Sequence, residues 1–206
     1  MDLGFSKKMK LVFLDRDGVI NEFPGNGNYV TKLKEFHFIP GSLDALRLLS
    51  NEGYSIFVIS NQAGVGKGIY SKQKLNHITR NMLKEVKSVG AKIKKVFYCM
   101  HPSSAGCDCR KPGIGLLRRA LESMNKSIHA AKKAFFVGDT EVDILAGHNA
   151  GCKTIFVLSG REDYRHMRGW KVRPDYVAKD LLEAALIINQ ESSSRSALSR
   201  KRASRK

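Results

Sequence analysis

Three short stretches carry most of the side chains that could do chemistry. Residues 11–21 read LVFLDRDGVIN, an apolar run that ends in two carboxylates, Asp15 and Asp17, followed by a glycine that can turn the chain away without a Cβ. A second acid pair, Asp139 and Asp143, follows the apolar run at 134–137. Aspartate and glycine are common in loops after strands, and either acid of the second pair could cap a helix. Neither reading explains why an aspartate recurs directly after two apolar runs. Brought together, these carboxylates would repel one another unless a cation sat among them. Hard oxygen donors with room for water and a phosphate suit Mg²⁺, so Asp15, Asp139 and the neighbourhood of Asp17 form the expected magnesium site.

The second stretch, residues 99–109, reads CMHPSSAGCDC. Cys99, His101, Cys107 and Cys109 supply a Cys₃His set, which fills all four positions of a tetrahedral site and therefore fits structural rather than catalytic Zn²⁺. Arg110 and Lys111 follow directly, so a metal-pinned loop would aim a bidentate guanidinium and a compact ammonium at an anion. A basic pair in so basic a chain can also be plain surface charge. The third stretch, residues 60–68, reads SNQAGVGKG and places a hydroxyl, two amides and small residues after an apolar run. Exposed N–H groups in such a turn could cradle phosphate oxygens, although the spacing does not match a nucleotide P-loop.

Positioning these groups requires strands that end side by side. Apolar runs at 11–15, 54–59, 96–99, 134–139 and 154–158 read as strands, with an edge piece at 175–177. Helical patterns fall between them at 42–52, 71–89, 113–125, 140–148 and 181–188, while 22–39 reads as an irregular loop rich in turn dipeptides. Alternating strands and helices imply an α/β fold, a Rossmann-like parallel sheet with helices on both faces. In such sheets the ligand crevice lies beyond the carboxyl ends of the strands, where all three stretches fall. Residues 1–190 are expected to form one domain.

Net charge is +17, and residues 192–206 contribute six Arg or Lys and no acid. Residues 191–206 have too few apolar side chains to fold by burial and are expected to form a basic, disordered tail. That tail could hold nucleic acid, but the sequence has no stacking motif or DNA-binding module, and a solvated tail without a partner is the simpler reading. No apolar run approaches the roughly 18 residues of a membrane span, and the amino terminus lacks a secretory pattern. Together with a cysteine content that suits metal binding better than disulfides, this points to the cytoplasm. Cys152, outside the metal set, is expected to be a small buried hydrophobe.

In order, FLDRDGVIN, VISNQAG, the Cys/His loop running into CRKP, and VGDTEVD resemble the four motifs of haloacid-dehalogenase-superfamily phosphatases. More narrowly they resemble the zinc-loop subgroup of heptose-bisphosphate and histidinol-phosphate phosphatases, over residues 11–160. The resemblance implies a capless phosphatase acting on a small phosphorylated sugar by two-step phosphoryl transfer, and a monomer is expected. It makes Asp15 the nucleophile and Asp17 the general acid and base. Ser60 and Lys111 would bind the transferring phosphoryl group, while Asn61, Gln62, Arg110 and the loop after Asn21 recognise the rest of the substrate. Mg²⁺ would be held by Asp15, Asp139 and the main-chain carbonyl of Asp17, with Asp143 in support. RDGVIN and the run at 64–68 favour the heptose substrate, whereas the five residues between His101 and Cys107 resemble the histidinol-phosphate enzymes.

Overall fold

The structure, a computed structural model, describes residues 9–203, with side chains described through residue 193. Its centre is a six-stranded sheet in the order β3-β2-β1-β4-β5-β6, formed by β1 (Leu11–Leu14), β2 (Ser55–Asn61), β3 (Ile93–Cys99), β4 (Ala134–Gly138), β5 (Lys153–Val157) and β6 (Tyr176–Ala178). Every neighbouring pair is parallel. All four residues of β1 are buried, as a strand covered on both faces requires.

Alternate residues of the strands feed two cores. Val12, Leu14, Ile56, Val58 and Val137 face α1 (Ser42–Asn51), α3 (Lys72–Ser88) and α6 (Leu181–Ala203) through Leu46, Leu49, Met82, Val86, Leu181 and Ala185. Leu11, Phe13, Phe57 and Phe136 face the other way, onto Leu116, Leu117, Ala120 and Leu121 of α4 (Gly115–Glu122). A short α2 (Ala63–Gly66) follows β2, and α5 (Glu141–Ala150) follows β4. The α/β sheet with helices on both faces is therefore the fold that the sequence implies.

Three local readings change. The third strand begins at Ile93 rather than Val96. Lys94 and Lys95 are exposed on this edge strand, and lysines that protect an edge interrupt the apolar run by which a strand is recognised. The glycine-rich turn after β2 is not an open cradle. Val65, Gly66, Lys67 and Gly68 donate their N–H groups to the carbonyls of Gln62, Met100, Ala63 and Val65, closing a helical turn. Finally, α6 carries the backbone to Ala203, past residue 190 where composition places the end of folded structure. Its first two turns pack Leu181, Ala184, Ala185 and Ile188 into the core, and a helix already nucleated propagates at small cost through Ala, Leu, Arg and Lys. Residues 204–206 lie outside the described residues.

Phe13 stands between Phe57 and Phe136, with ring centroids 5.8 and 6.4 Å away. It has no solvent exposure and sits one residue before the strand end that carries the chemistry. Phe13→Ala is expected to lower unfolding free energy by about 3–5 kcal/mol, measured by denaturant titration.

Candidate active site

The chain leaves β1 toward α1 on one face and leaves β4 toward α5 and the opposite core, so a crevice opens between these two central strands at their carboxyl ends. Asp15 follows β1 and Asp139 follows β4; the Asp15 N–H donates to the Val137 carbonyl at 3.0 Å, locking the two ends together. Ligand oxygens of Asp15, Asp139 and Asp143 all lie within 4.8 Å of one another. They open onto a cleft of about 240 Å³ that is also lined by Asp17, Ser60, Asn61, Arg110 and Lys111.

The space around Asp139 is made by missing side chains. Gly18 lies at φ +84°, a conformation that suits only glycine, and a Cβ there would stand 2.2 Å from Asp139 Oδ2. A Cβ on Gly160 would stand 2.1 Å from the same oxygen. That oxygen instead accepts the Arg161 N–H at 2.8 Å. Two backbones thus close on one carboxylate, a constraint that the spacing of acids in the sequence does not reveal.

Lys111, 3% exposed, is the cation of this cluster. Its Nζ lies 2.7 Å from Asp15 Oδ1 and 2.5 Å from Asp143 Oδ1. Burial alone would favour a neutral lysine, but the Coulombic pull of Asp143 and Asp15 outweighs it and holds the ammonium above its ordinary pKa. Asp15 is pushed up to about 6 by burial, against the opposing pull of Lys111. Burial and the charges of Asp143 and Asp15 likewise raise Asp139 well above the usual carboxylate range. One ammonium does not balance three carboxylates, and the oxygen-only donor set fits a hard divalent cation. Asp143 is the least available donor, since Oδ1 faces Lys111 and Oδ2 accepts the Thr140 hydroxyl at 2.6 Å.

The Cys/His loop is built as its spacing suggests. Cys99, His101, Cys107 and Cys109 offer ligand atoms within 4.8 Å of one another. Cys109 Sγ lies 3.3, 3.4 and 3.2 Å from Cys99 Sγ, Cys107 Sγ and His101 Nδ1. A tetrahedron with Zn–S bonds of about 2.3 Å has edges of about 3.8 Å, close to these separations. Burial and the neighbouring thiols push Cys109 up to about 12, a proton that a bound cation would displace. The loop is tied to β2 by Asn61, whose side chain donates to the Lys111 carbonyl at 3.2 Å and accepts the Lys111 N–H at 3.1 Å. Asn61 therefore both lines the cleft and positions Lys111. Cys152 lies apart from this set, buried, with burial raising its thiol to about 12.

One expectation shifts, and two further residues emerge. Gln62, 1% exposed, does not line the cleft; its amide is turned inward to Asp17 and Ser60. Arg16, between the two aspartates, is wholly buried and pairs with Asp17 at 2.9 Å. Neither Arg16 nor Tyr70, which donates to Gln62, is singled out by motif spacing. A buried arginine flanked by acids was the available signal, because such a charge must be paired.

A family model for HAD-hydrolase-like proteins matches residues 108–184. The D-glycero-β-D-manno-heptose-1,7-bisphosphate 7-phosphatase of Pseudomonas putida is 36% identical over 153 residues, covering 74% of this chain and 85% of that protein. The chain belongs to the haloacid-dehalogenase-like phosphatases. The D-glycero-α-D-manno-heptose-1,7-bisphosphate 7-phosphatase of Campylobacter jejuni is 35% identical over 152 residues, 74% of this chain and 84% of that protein. Among solved structures, the D,D-heptose 1,7-bisphosphate phosphatase of B. bronchiseptica, complexed with magnesium and phosphate, superposes with a TM-score of 0.81 at 30% identity, over 89% of this chain and 99% of that one. As a family member this chain is a phosphoric monoester hydrolase, and the crowded carboxylates above are where its site is short of positive charge. Among the described residues, no helix is long and apolar enough to cross a membrane.

Gly160→Ala is expected to remove most Mg²⁺-dependent phosphatase activity while leaving the far-ultraviolet circular dichroism of the fold, because its methyl group enters the space of the Asp139 carboxylate. The raised Asp15 sets a second expectation. A carboxyl pushed up to about 6 by burial, against an ordinary value of 3.8, binds more protons folded than unfolded between those values. Metal-free protein is therefore fully stabilised by this group below about pH 4 and loses that contribution as pH rises through 6. Thermal melts should show Mg²⁺ raising the melting temperature more at pH 7.5 than at pH 5.

Proposed function

We propose that this chain removes the 7-phosphate of a D-glycero-D-manno-heptose 1,7-bisphosphate through an aspartyl-phosphate. The observation that carries the substrate class is Arg110, at the rim of the cleft beside the phosphoryl site. Its buried NH1 has no hydrogen-bond partner in the protein, so it is a donor waiting for an anion. A sugar with two phosphates satisfies both ends of the cleft, one at Lys111 and Ser60, the other at Arg110. Histidinol phosphate, the runner-up, carries one phosphate and a cationic amine that Arg110 would repel. The relatives named for each anomer of the heptose leave the choice of anomer to experiment.

In the first step an Asp15 oxygen attacks phosphorus, the P–O bond to C7 breaks, and its electron pair goes to the sugar oxygen, which takes a proton from Asp17. In the second step water gives its proton to Asp17 and attacks phosphorus, breaking the bond to Asp15 and releasing inorganic phosphate. Lys111 and the Ser60 hydroxyl hold the equatorial phosphoryl oxygens, where stabilisation of charge is most of the catalysis. Magnesium, held by Asp15, Asp139 and the Asp17 main-chain carbonyl, would neutralise phosphoryl charge. Zinc on Cys99, His101, Cys107 and Cys109 would fix the loop from which Arg110 and Lys111 project. All these residues come from one chain, so a monomer suffices, and the site suits a biosynthetic enzyme of the cytoplasm. Nucleic-acid binding by residues 192–206 rests on charge alone, since side chains beyond residue 193 lie outside the described set.

Asp15→Asn should abolish phosphate release from the bisphosphate in a steady-state assay. Arg110→Ala should raise KM for the bisphosphate about 10- to 100-fold, the worth of a charged hydrogen bond of about 1.5–3 kcal/mol. The same change should lower KM for histidinol phosphate, because it removes the repulsion between the guanidinium and the amine. A higher kcat/KM for histidinol phosphate than for the bisphosphate would sink the substrate assignment and leave the phosphatase chemistry standing.

A further inference from the structure

The side chain of Gln62 is at the centre of a buried network that the reaction scheme does not use. Its Nε2 donates to Asp17 Oδ2 at 2.7 Å and to Ser60 Oγ at 3.2 Å. Its Oε1 accepts the Tyr70 hydroxyl at 2.5 Å and Arg16 NH2 at 3.3 Å. The orientation of this amide is forced. A guanidinium has only donors, so the end of the amide facing Arg16 must be the oxygen. Tyr70 supports the same orientation: it is 3% exposed, and burial raises its phenol above the ordinary value, so it remains a protonated donor.

Two consequences follow from that one orientation. Asp17 is held by both oxygens from the protein side. Oδ1 accepts Asn21 Nδ2 at 2.9 Å and Arg16 at 2.9 and 3.1 Å; Oδ2 accepts Gln62 at 2.7 Å and Arg16 at 3.0 Å. Without Gln62, Oδ2 keeps only the arginine contact, and the carboxylate can swing with that pair. Ser60, meanwhile, is an acceptor toward Gln62, which leaves its own O–H hydrogen to be donated elsewhere, and the cleft it lines is on that side.

We infer that Gln62 and Tyr70 are positioning residues: Tyr70 fixes the Gln62 amide, and that amide sets both the rotamer of Asp17 and the donor direction of the Ser60 hydroxyl. The inference rests on the role of Asp17 proposed above. Tyr70 touches no reacting atom and acts only through Gln62. Its own place is set by packing, since its ring lies 6.0 Å from that of Tyr29 and a Cβ on Gly64 would stand 2.5 Å from it.

The test is the dependence on leaving group. An alkyl alcohol leaves from phosphorus only as it is protonated, whereas p-nitrophenolate leaves without a proton. In this mechanism kcat/KM reports the steps up to that departure and not the later hydrolysis. Tyr70→Phe and Gln62→Ala should lower kcat/KM on the heptose bisphosphate by about 10- to 100-fold, the scale expected when a catalytic group is misplaced by about 1 Å. On p-nitrophenyl phosphate both variants should lose several-fold less, because there only the part of the effect that passes through Ser60 remains. Tyr70→Phe removes a single oxygen, and its melting temperature reports whether the fold survives. Asp17→Asn serves as the reference and should show the same dependence more strongly. Equal losses on both substrates, or no loss on either, would overturn the inference while Asp17→Asn still discriminated between them. If Asp17→Asn itself failed to discriminate, the role of Asp17 would be wrong and the inference would fall with it.

Discussion

Three carboxylates and one ammonium share the crevice between the central strands, largely removed from water. Charges in such a place are costly unless paired, and the pairing here is incomplete, because Lys111 meets Asp15 and Asp143 and leaves Asp139 to a single backbone N–H. The rest of the structure can be understood as a response to this crowding. Buried strands set the spacing of the acids, glycines open the space around Asp139, and the deficit of positive charge makes a divalent cation and a phosphate ester with it the natural occupants.

Rigidity comes from short tethers rather than from bulk. The side chain of Asn61 brackets the main chain of Lys111 on both its N–H and its carbonyl, much as a neighbouring strand would. The Gln62 N–H reaches the Cys99 carbonyl at 2.7 Å, and the Gly66 N–H reaches the Met100 carbonyl at 3.0 Å. The end of β2 and the Cys/His loop are therefore one unit. On the other side, Glu162 accepts the Glu141 N–H at 3.0 Å, holding the chain after β5 against the start of α5. With both rims fixed in this way, the site is complete without a cap domain.

What could be read in advance follows the range of the interactions. Strand ends and metal ligands announce themselves locally, by an apolar run that stops at Asp15 or by four chelating residues within one loop. The roles of Arg16 and Gln62 depend on a hydrogen bond across 46 positions, Tyr70 joins them across eight, and no periodicity encodes either. Gln62 was legible as part of a motif but not as an inward-facing group, because an amide has the same composition whichever way it points. The phosphate cradle expected within residues 60–68 loses its last four N–H groups for a related reason: glycines permit open N–H groups but equally permit a tight helical turn. The length of α6 was hidden by its serines and arginines, which composition associates with unfolded chain.

The bracket formed by Asn61 has one more consequence. Lys111 is located by β2 through Asn61, whereas Ser103, Ser104, Ala105 and Gly106 are exposed and form little more than a single turn. None of these four residues lines the cleft. The number of residues between His101 and Cys107 is therefore set where the chain faces solvent, while Arg110 and Lys111, a few residues on, line the cleft.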